Sequence, residues 1–279
     1  VPELPEVEIA ARNLRAWALG RRVERACADE GARRIFRPER PAAVTAALRG
    51  RRVASVARRG KHILIRLEGG HPRGGPVGLL SHLGMTGKWL RRAEGDPAPT
   101  HSRARLHLDD GAVLHYRDPR LFGRLRLVPG ARFEEVPEIA ELGPDLLDEG
   151  VDASRLARGL ARRRGPIKVA MLDQALWAGV GNIQATEALF RARLDPRRAA
   201  GELTRGEVAR LARAAVASIR ETLARSAGPE PSYVEEPGSE NPFLVYAREG
   251  EPCPRCRRAP IRRIVQGQRS TFFCPRCQR

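Results

Sequence analysis

The first seven residues, Val1-Pro2-Glu3-Leu4-Pro5-Glu6-Val7, put a proline and a carboxylate where a free chain terminus can do covalent chemistry. An amino-terminal proline is a secondary amine. An α-amino group titrates near neutral pH, far below lysine, so a useful fraction is unprotonated and nucleophilic. Attack of a secondary amine on a sugar C1′ gives an iminium directly, and the neighbouring Glu3 can move protons around it. A proline followed by acids in the first turn is also an ordinary helix start, so this stretch alone leaves both readings open. Proline is residue 2, and Val1 would acylate it. Valine is what literal translation of a GTG start codon gives, and the initiating residue would be trimmed before proline. Of the 51 Lys+Arg, only Lys61, Lys88 and Lys168 are lysine, the bias of a GC-rich coding sequence in which GTG starts are plausible. Pro2 is therefore expected to be the mature terminus.

A second set of residues has metal-ligand spacing. Cys253-Pro-Arg-Cys256 and Cys274-Pro-Arg-Cys277 are separated by seventeen residues, enough for a hairpin that brings two Cys-x-x-Cys turns onto one ion. Four thiolates leave no open coordination position, so one structural Zn²⁺ is expected. Cys27 stands alone and reads as a small buried hydrophobe.

Three more stretches can meet a polyanion. Gly179-Val180-Gly181-Asn182 can expose backbone N–H groups and the Asn182 amide to a phosphate, or be a plain helix-breaking turn. Arg58-Arg59-Gly60-Lys61-His62 keeps a lysine against the arginine bias, but reads equally as a solvated basic turn. The loops His82-Leu83-Gly84-Met85-Thr86-Gly87 and Asp118-Pro119-Arg120-Leu121-Phe122-Gly123 set bulky side chains between glycines. Met85 and Phe122 can be core residues or, with Arg120, a wedge that fills a gap in a base stack.

The elements that must position these residues follow from periodicity. Residues 5–19 read as an amphipathic helix, with Val7, Ala10, Ala11, Leu14, Trp17 and Ala18 at helical spacing and Gly20 at the C-terminal cap. From about 22 to 128 the period is two, with Asp110-Gly111 as a hairpin signal, which predicts a β-sandwich or barrel. After Pro137, Leu160, Ile167, Met171, Leu172 and Leu176 predict helices, and Thr204-x-x-Glu207 is a capping box. Residues 227–242 are rich in Pro, Gly and Glu and predict a mobile loop. The length of 279 residues predicts two domains and a small third module, and the net charge of +18 favours a polyanionic partner, nucleic acid first. No apolar run reaches membrane-span length and nothing near the start resembles a signal peptide, so a cytoplasmic or nucleoid location without a membrane partner is expected.

In this order the motifs resemble the formamidopyrimidine-DNA glycosylase family of bifunctional base-excision enzymes. The likeness runs from Pro2 to Gln278 and includes Gln268-Arg269-Ser270-Thr271-Phe272 in the zinc hairpin. It implies an α+β multidomain fold: an N-terminal β-sandwich with its leading helix (1–130), a helix–two-turn–helix domain (131–227), a loop and linker (228–249) and a C-terminal zinc-finger hairpin (250–279). It implies a monomer acting on damaged double-stranded DNA, removing oxidised purines through a Schiff base on Pro2 and nicking by β,δ-elimination. Glu3 would open the deoxyribose ring with Glu6 in support, and Lys61 would contact phosphate and assist elimination. Met85, Arg120 and Phe122 would fill the void left by the flipped nucleotide. Asn182 and Arg269 would grip phosphates, and His101, Arg163 and Lys168 fall at further DNA or base-pocket positions. Four departures stand out: Gly228-Pro229-Glu230-Pro231-Ser232-Tyr233 replaces a Gly-Gly-Thr-Thr-type segment, Gln184 replaces a common tyrosine, Leu121 replaces a frequent arginine, and the spacing between the Cys pairs is about one residue longer. Two other functions are an endonuclease VIII-like glycosylase for oxidised pyrimidines, whose start differs and which lacks the Met/Arg/Phe set, and a non-catalytic zinc-ribbon DNA-binding protein, which leaves Pro2-Glu3 and Lys61 unexplained.

Overall fold

The computed structural model describes every residue except Val1, 71–74, 149–151, 227, 229, 231, 232, 235 and 237. Val1, on which the terminus reading rests, therefore lies outside the described residues, as does part of the 227–242 loop. The chain divides into two compact units: Val1–Pro2, Glu6–Ala140 and Ser226–Tyr233 in the first, and Glu3–Pro5, Glu141–Arg225 and Val234–Arg279 in the second.

Helix α1 (Leu4–Ala18) follows the expected stripe. Val7, Ala10, Ala11, Leu14 and Ala18 are buried, and Gly20 ends the helix at φ +78°, where a Cβ would be strained. Strand β1 (Val23–Ala28) comes next, but the period-two reading fails between it and residue 52. That stretch folds as two short helices, α2 (Arg33–Phe36) and α3 (Pro41–Leu48). Pro41 occupies the first turn, where its missing N–H costs nothing, and Pro41, Val44 and Leu48 are buried at i, i+3, i+7 among strong helix-forming alanines.

Seven strands follow: β2 (Arg52–Arg59), β3 (His62–Glu68), β4 (Val77–His82), β5 (Lys88–Ala93), β6 (Ser102–Leu108), β7 (Ala112–Arg117) and β8 (Arg124–Pro129). They form two antiparallel sheets, β1-β6-β7-β5 and β2-β3-β4-β8. Ile63, Ile65, Leu67 and Leu79 of one sheet share a core with Leu106, Leu108, Leu114 and Tyr116 of the other, the alternation that a sandwich requires. The other face of β4 is covered too: Leu80 packs with Val128 and Val136, near the short helix α4 (Pro137–Ala140). This explains why β4 is buried on both faces and does not alternate.

The second unit carries α5 (Ala153–Ala161), α6 (Ile167–Ala170), α7 (Asn182–Ala192) and α8 (Arg205–Arg225), then the hairpin β9 (Arg262–Gln266) and β10 (Arg269–Phe273). Met171, Leu172 and Leu176, expected in helices, lie in turns. The capping box is present: Glu207 N–H donates to Thr204 Oγ1 at 3.2 Å and Thr204 N–H to a Glu207 carboxylate oxygen at 2.9 Å. Gln184, buried on α7, donates to Thr222 Oγ1 and accepts from Ser218 Oγ, both on α8. A polar replacement at this position thus comes with polar partners opposite. Among the described residues no helix is long and apolar enough to cross a membrane.

Candidate functional site

In the second unit the N-terminus of α7 holds the Glu3 carboxylate. Gly181, Ile183 and Gln184 N–H groups donate to it at 3.1, 2.8 and 3.0 Å, and Glu3 is 2% exposed. These are the free N–H groups and positive pole of a helix start. The sequence reading offered them to a phosphate; in the structure they hold the chain's own acid. The glycines make this possible. A Cβ on Gly181 would lie 2.3 Å from the Glu3 carboxyl carbon, and one on Gly179, at φ +88°, would lie 2.5 Å from Leu4. Leu4 N–H donates to the Gly179 carbonyl at 3.1 Å, which fixes the chain directly after the carboxylate.

Asn182, the first residue of α7, turns its amide inward. Its Oδ1 accepts from Lys168 Nζ at 2.6 Å and its Nδ2 donates to the Ser270 carbonyl at 2.9 Å. Lys168 is fully buried, and burial lowers its pKa to about 8; the Arg269 charge pushes the same way and Glu3 opposes. Arg269 is exposed and begins β10, directly after a two-residue turn in which Gly267 and Gln268 have φ +54° and +60°. Both central residues positive is the type I′ signature, whose twist suits a hairpin. Glu3, Lys168 and Asn182, far apart in sequence, thus meet at the start of α7, with the Arg269 charge near enough to act on Lys168. Arg163 is not among them: its guanidinium pairs with Asp173 and caps the Gly159 carbonyl.

In the first unit the two glycine-rich loops are one object. Gly84 (φ +62°) lies against the Phe122 backbone, where a Cβ would come within 2.4 Å of the carbonyl carbon. Buried Asp118 accepts from Thr86 Oγ1 at 2.7 Å, Arg120 N–H at 3.2 Å and Gly123 N–H at 2.7 Å. The sequence reading missed this residue; Asp before a Pro-containing turn was the available signal. Phe122 is 40% exposed, with the Arg120 and Arg34 guanidinium carbons 5.0 and 5.2 Å from its ring centroid. Met85 is half-buried on the other loop. His101 joins them at φ +63°, its carbonyl accepting from Asp118 N–H at 3.0 Å. Lys61 is the second residue of the Gly60-Lys61 turn between β2 and β3; Gly60 has φ +56° and Lys61 does not have positive φ, so glycine leads the turn as type II′ requires. Beneath that turn Arg58 donates to Glu8 at 2.8 Å and to the Gly60 carbonyl at 3.1 Å.

Two expectations change. Cys27 is half-buried on β1, not fully enclosed. The described parts of the 227–242 loop are tied down: Asn13 donates to the Gly228 carbonyl at 3.0 Å, Glu230 pairs with Arg92 at 2.6 Å, and buried Tyr233 donates to the Gly87 carbonyl at 2.7 Å. Lys88 Nζ sits 4.5 Å from the Tyr233 ring centroid. A buried aromatic anchor inside a Pro/Gly/Glu-rich stretch overrides the composition signal.

The four zinc-pattern cysteines converge. Their sulfurs lie within 4.8 Å of one another, with Cys253–Cys277 and Cys256–Cys274 both at 3.8 Å. Zn–S bonds of about 2.3 Å in a tetrahedron give S···S edges of about 3.8 Å, so the donor set fits one structural Zn²⁺.

Comparison with known proteins agrees with this geometry. Residues 1–125 match the formamidopyrimidine-DNA glycosylase N-terminal domain, 142–230 the H2TH domain of the same enzyme, and 250–279 a zinc finger found in FPG and IleRS. A formamidopyrimidine-DNA glycosylase of Thermus thermophilus is 44% identical, covering 100% of this chain and 98% of the relative, and one of Rhodospirillum centenum is 42% identical, covering all of both. The crystal structure of the MutM (Fpg) protein of Thermus thermophilus superposes with a TM-score of 0.80 at 42% identity, over 99% of this chain and 98% of the other. Lactococcus lactis Fpg in complex with DNA containing an abasic site gives 0.86 at 26% identity over the whole of both chains. The chain belongs to the formamidopyrimidine-DNA glycosylase family, enzymes of DNA repair.

Proposed function

We propose that the chain excises oxidised purines, formamidopyrimidines and 8-oxoguanine, from duplex DNA and then cleaves the abasic strand. The observation that carries this reading is the Glu3 carboxylate fixed by three helix-start N–H groups one residue after Pro2. With Pro2 as the amino terminus, its nitrogen attacks C1′: the N–C1′ bond forms, the C1′–base bond breaks, and the base leaves with a proton. The proton shed by the Pro2 nitrogen passes through the Glu3 carboxylate to the ring oxygen as the C1′–O bond breaks and the sugar opens to the iminium. Loss of the C2′ proton then expels the 3′ phosphate, and a second elimination expels the 5′ phosphate, with Lys61 near phosphate. Met85, Arg120 and Phe122 take the space of the displaced nucleotide, Asn182 and Arg269 hold the backbone, and His101, Arg163 and Lys168 add contacts to DNA or the base. The zinc ion holds the hairpin that presents Arg269. A formamidopyrimidine stacks poorly and costs less to extrude than 8-oxoguanine, so it is the faster substrate.

The test is borohydride trapping on duplexes carrying each lesion or an abasic site, with mass spectrometry of the intact amino terminus. The expected adduct sits on Pro2 of a protein lacking Val1. Glu3→Gln removes base excision and leaves some processing of preformed abasic sites. An equally fast adduct through a lysine in a protein whose proline is blocked overturns the assignment.

A further inference from the structure

On the face of β3-β4-β8 turned away from the shared core, His62, His82 and Arg124 form one cross-strand row, and Leu80 pairs with Arg126 in the next. Phe122 and Glu138 complete the walls of a cavity of about 290 Å³ lined by these residues. That size is at the lower edge of the roughly 300–1,000 Å³ typical of ligand pockets, room for one small ring system. The imidazoles meet at 4.9 Å between centroids, tilted by 51° between planes.

The charges decide what kind of ligand fits. Both oxygens of the Glu138 carboxylate accept from Arg126 Nη1 at 2.9 Å and one lies 3.6 Å from Arg124 Nη1, so Glu138 would repel a phosphate or carboxylate entering beside it. The guanidiniums in turn disfavour a cation. Both imidazoles are neutral at physiological pH: burial first, with Lys61 and Arg124 adding and Glu138 and a backbone hydrogen bond at Arg59 opposing, brings His62 to about 4. At His82 burial, the neighbouring imidazole, Lys61 and Arg124 all push down, to about 3. What remains is an apolar floor at Leu80, an aromatic wall at Phe122, donors from the arginines and acceptors at Glu138. A flat, neutral heteroaromatic with donors and acceptors on its edge satisfies this set.

We propose that this cavity is a second ligand site, distinct from the residues assigned to catalysis, that takes one nucleobase-sized neutral heteroaromatic and, through its Phe122 wall, holds the wedge in one position. The wedge half of this statement rests on the function proposed above; the binding half does not. A base seated there sets the Phe122 ring that would otherwise enter the stack, so occupancy and wedge insertion compete.

Titration calorimetry with free adenine and free cytosine, and pyrophosphate as the anionic control, tests the site on the full-length zinc-loaded protein. Saturable binding of at least one base is expected. Glu138→Gln, which keeps the shape and loses the anionic acceptor, and Leu80→Phe, which fills the floor, should each weaken it about tenfold or more. No saturable binding, unchanged affinity in both variants, or tighter binding of pyrophosphate than of either base overturns the site. A separate arm reads the wedge: a saturating base should slow lesion excision several-fold in the wild type and not in Leu80→Phe. Binding without any such slowing refutes the coupling to Phe122 and leaves the site standing; a protein with no excision activity at all refutes the proposed function, while calorimetry still decides the site.

Discussion

Asp118 gathers a hydroxyl and two backbone N–H groups from two loops and is itself buried, so the shape of the Met85/Arg120/Phe122 surface depends on one carboxylate. Replacing it with alanine orphans those donors and should cost about 2–3 kcal/mol in urea unfolding. If Arg120 faces the orphaned base, Asp118→Ala and Arg120→Ala should also blunt the distinction between cytosine and adenine opposite 8-oxoguanine. Single-turnover excision on the two duplexes checks this, and full discrimination in Arg120→Ala would sink the role of Arg120. The bulky residues at 85, 120 and 122 were visible in the sequence because they stand between glycines. Asp118 was not singled out because Thr86 is 32 residues away, and no local spacing encodes such a bond. Asn182 was likewise legible as a residue of note, but its partners Lys168 and Ser270 were not.

Helix α8 illustrates how far local chemistry carries an element. Thr204-x-x-Glu207 marked its start, and the structure adds the Arg198 guanidinium 2.5 Å from Glu207. That hydrogen bond, ahead of the opposing burial and helped by the capping N–H, holds the Glu207 carboxyl at about 2. A carboxyl depressed in the folded state stabilises fully above its unfolded value near 4.5, and the contribution is lost as pH falls through about 2. Glu207→Gln keeps the box but not the charge. It should lower stability by about 1–2 kcal/mol at pH 7, with the gap to wild type closing between pH 4.5 and 2 in thermal melts. Elements with clean periodicity, α1 and most strands, were readable in this way. Helices α2 and α3 were not, because four and eight residues hold too little periodicity to compete with neighbouring strands. In the 227–242 loop the Tyr233 anchor was illegible because it depends on Gly87, a partner remote in sequence.

At the level of the molecule, the excess of eighteen positive charges is almost wholly guanidinium and cannot be titrated away in any physiological range. Affinity for a polyanion should therefore respond to salt far more than to pH. Removing Zn²⁺ with a chelator, or Cys256→Ser, should unfold residues 250–279 and carry Arg269 away from the phosphates it is proposed to hold. The slope of log affinity against log salt should then lessen in magnitude by about 0.9, as is expected for Arg269→Ala, which keeps the metal. A zinc-free protein with an unchanged slope would show that the hairpin contributes no phosphate contact. The order of motifs and the two Cys-Pro-Arg-Cys pairs made the architecture legible, since each is a local signal. The internal carboxylate at the start of α7 was illegible, because it joins residues 3 and 183 through a turn whose glycines read equally as an anion cradle.

That internal carboxylate has a consequence for timing. A chain end normally samples many orientations, and an attacking group on it would have to be ordered anew at every turnover. Here residue 3 is immobilised when the second unit folds, so Pro2 hangs one peptide bond from a fixed point. If Pro2 is the terminal nucleophile, as proposed above, its rotational entropy is surrendered once, during folding, and is absent from each activation step.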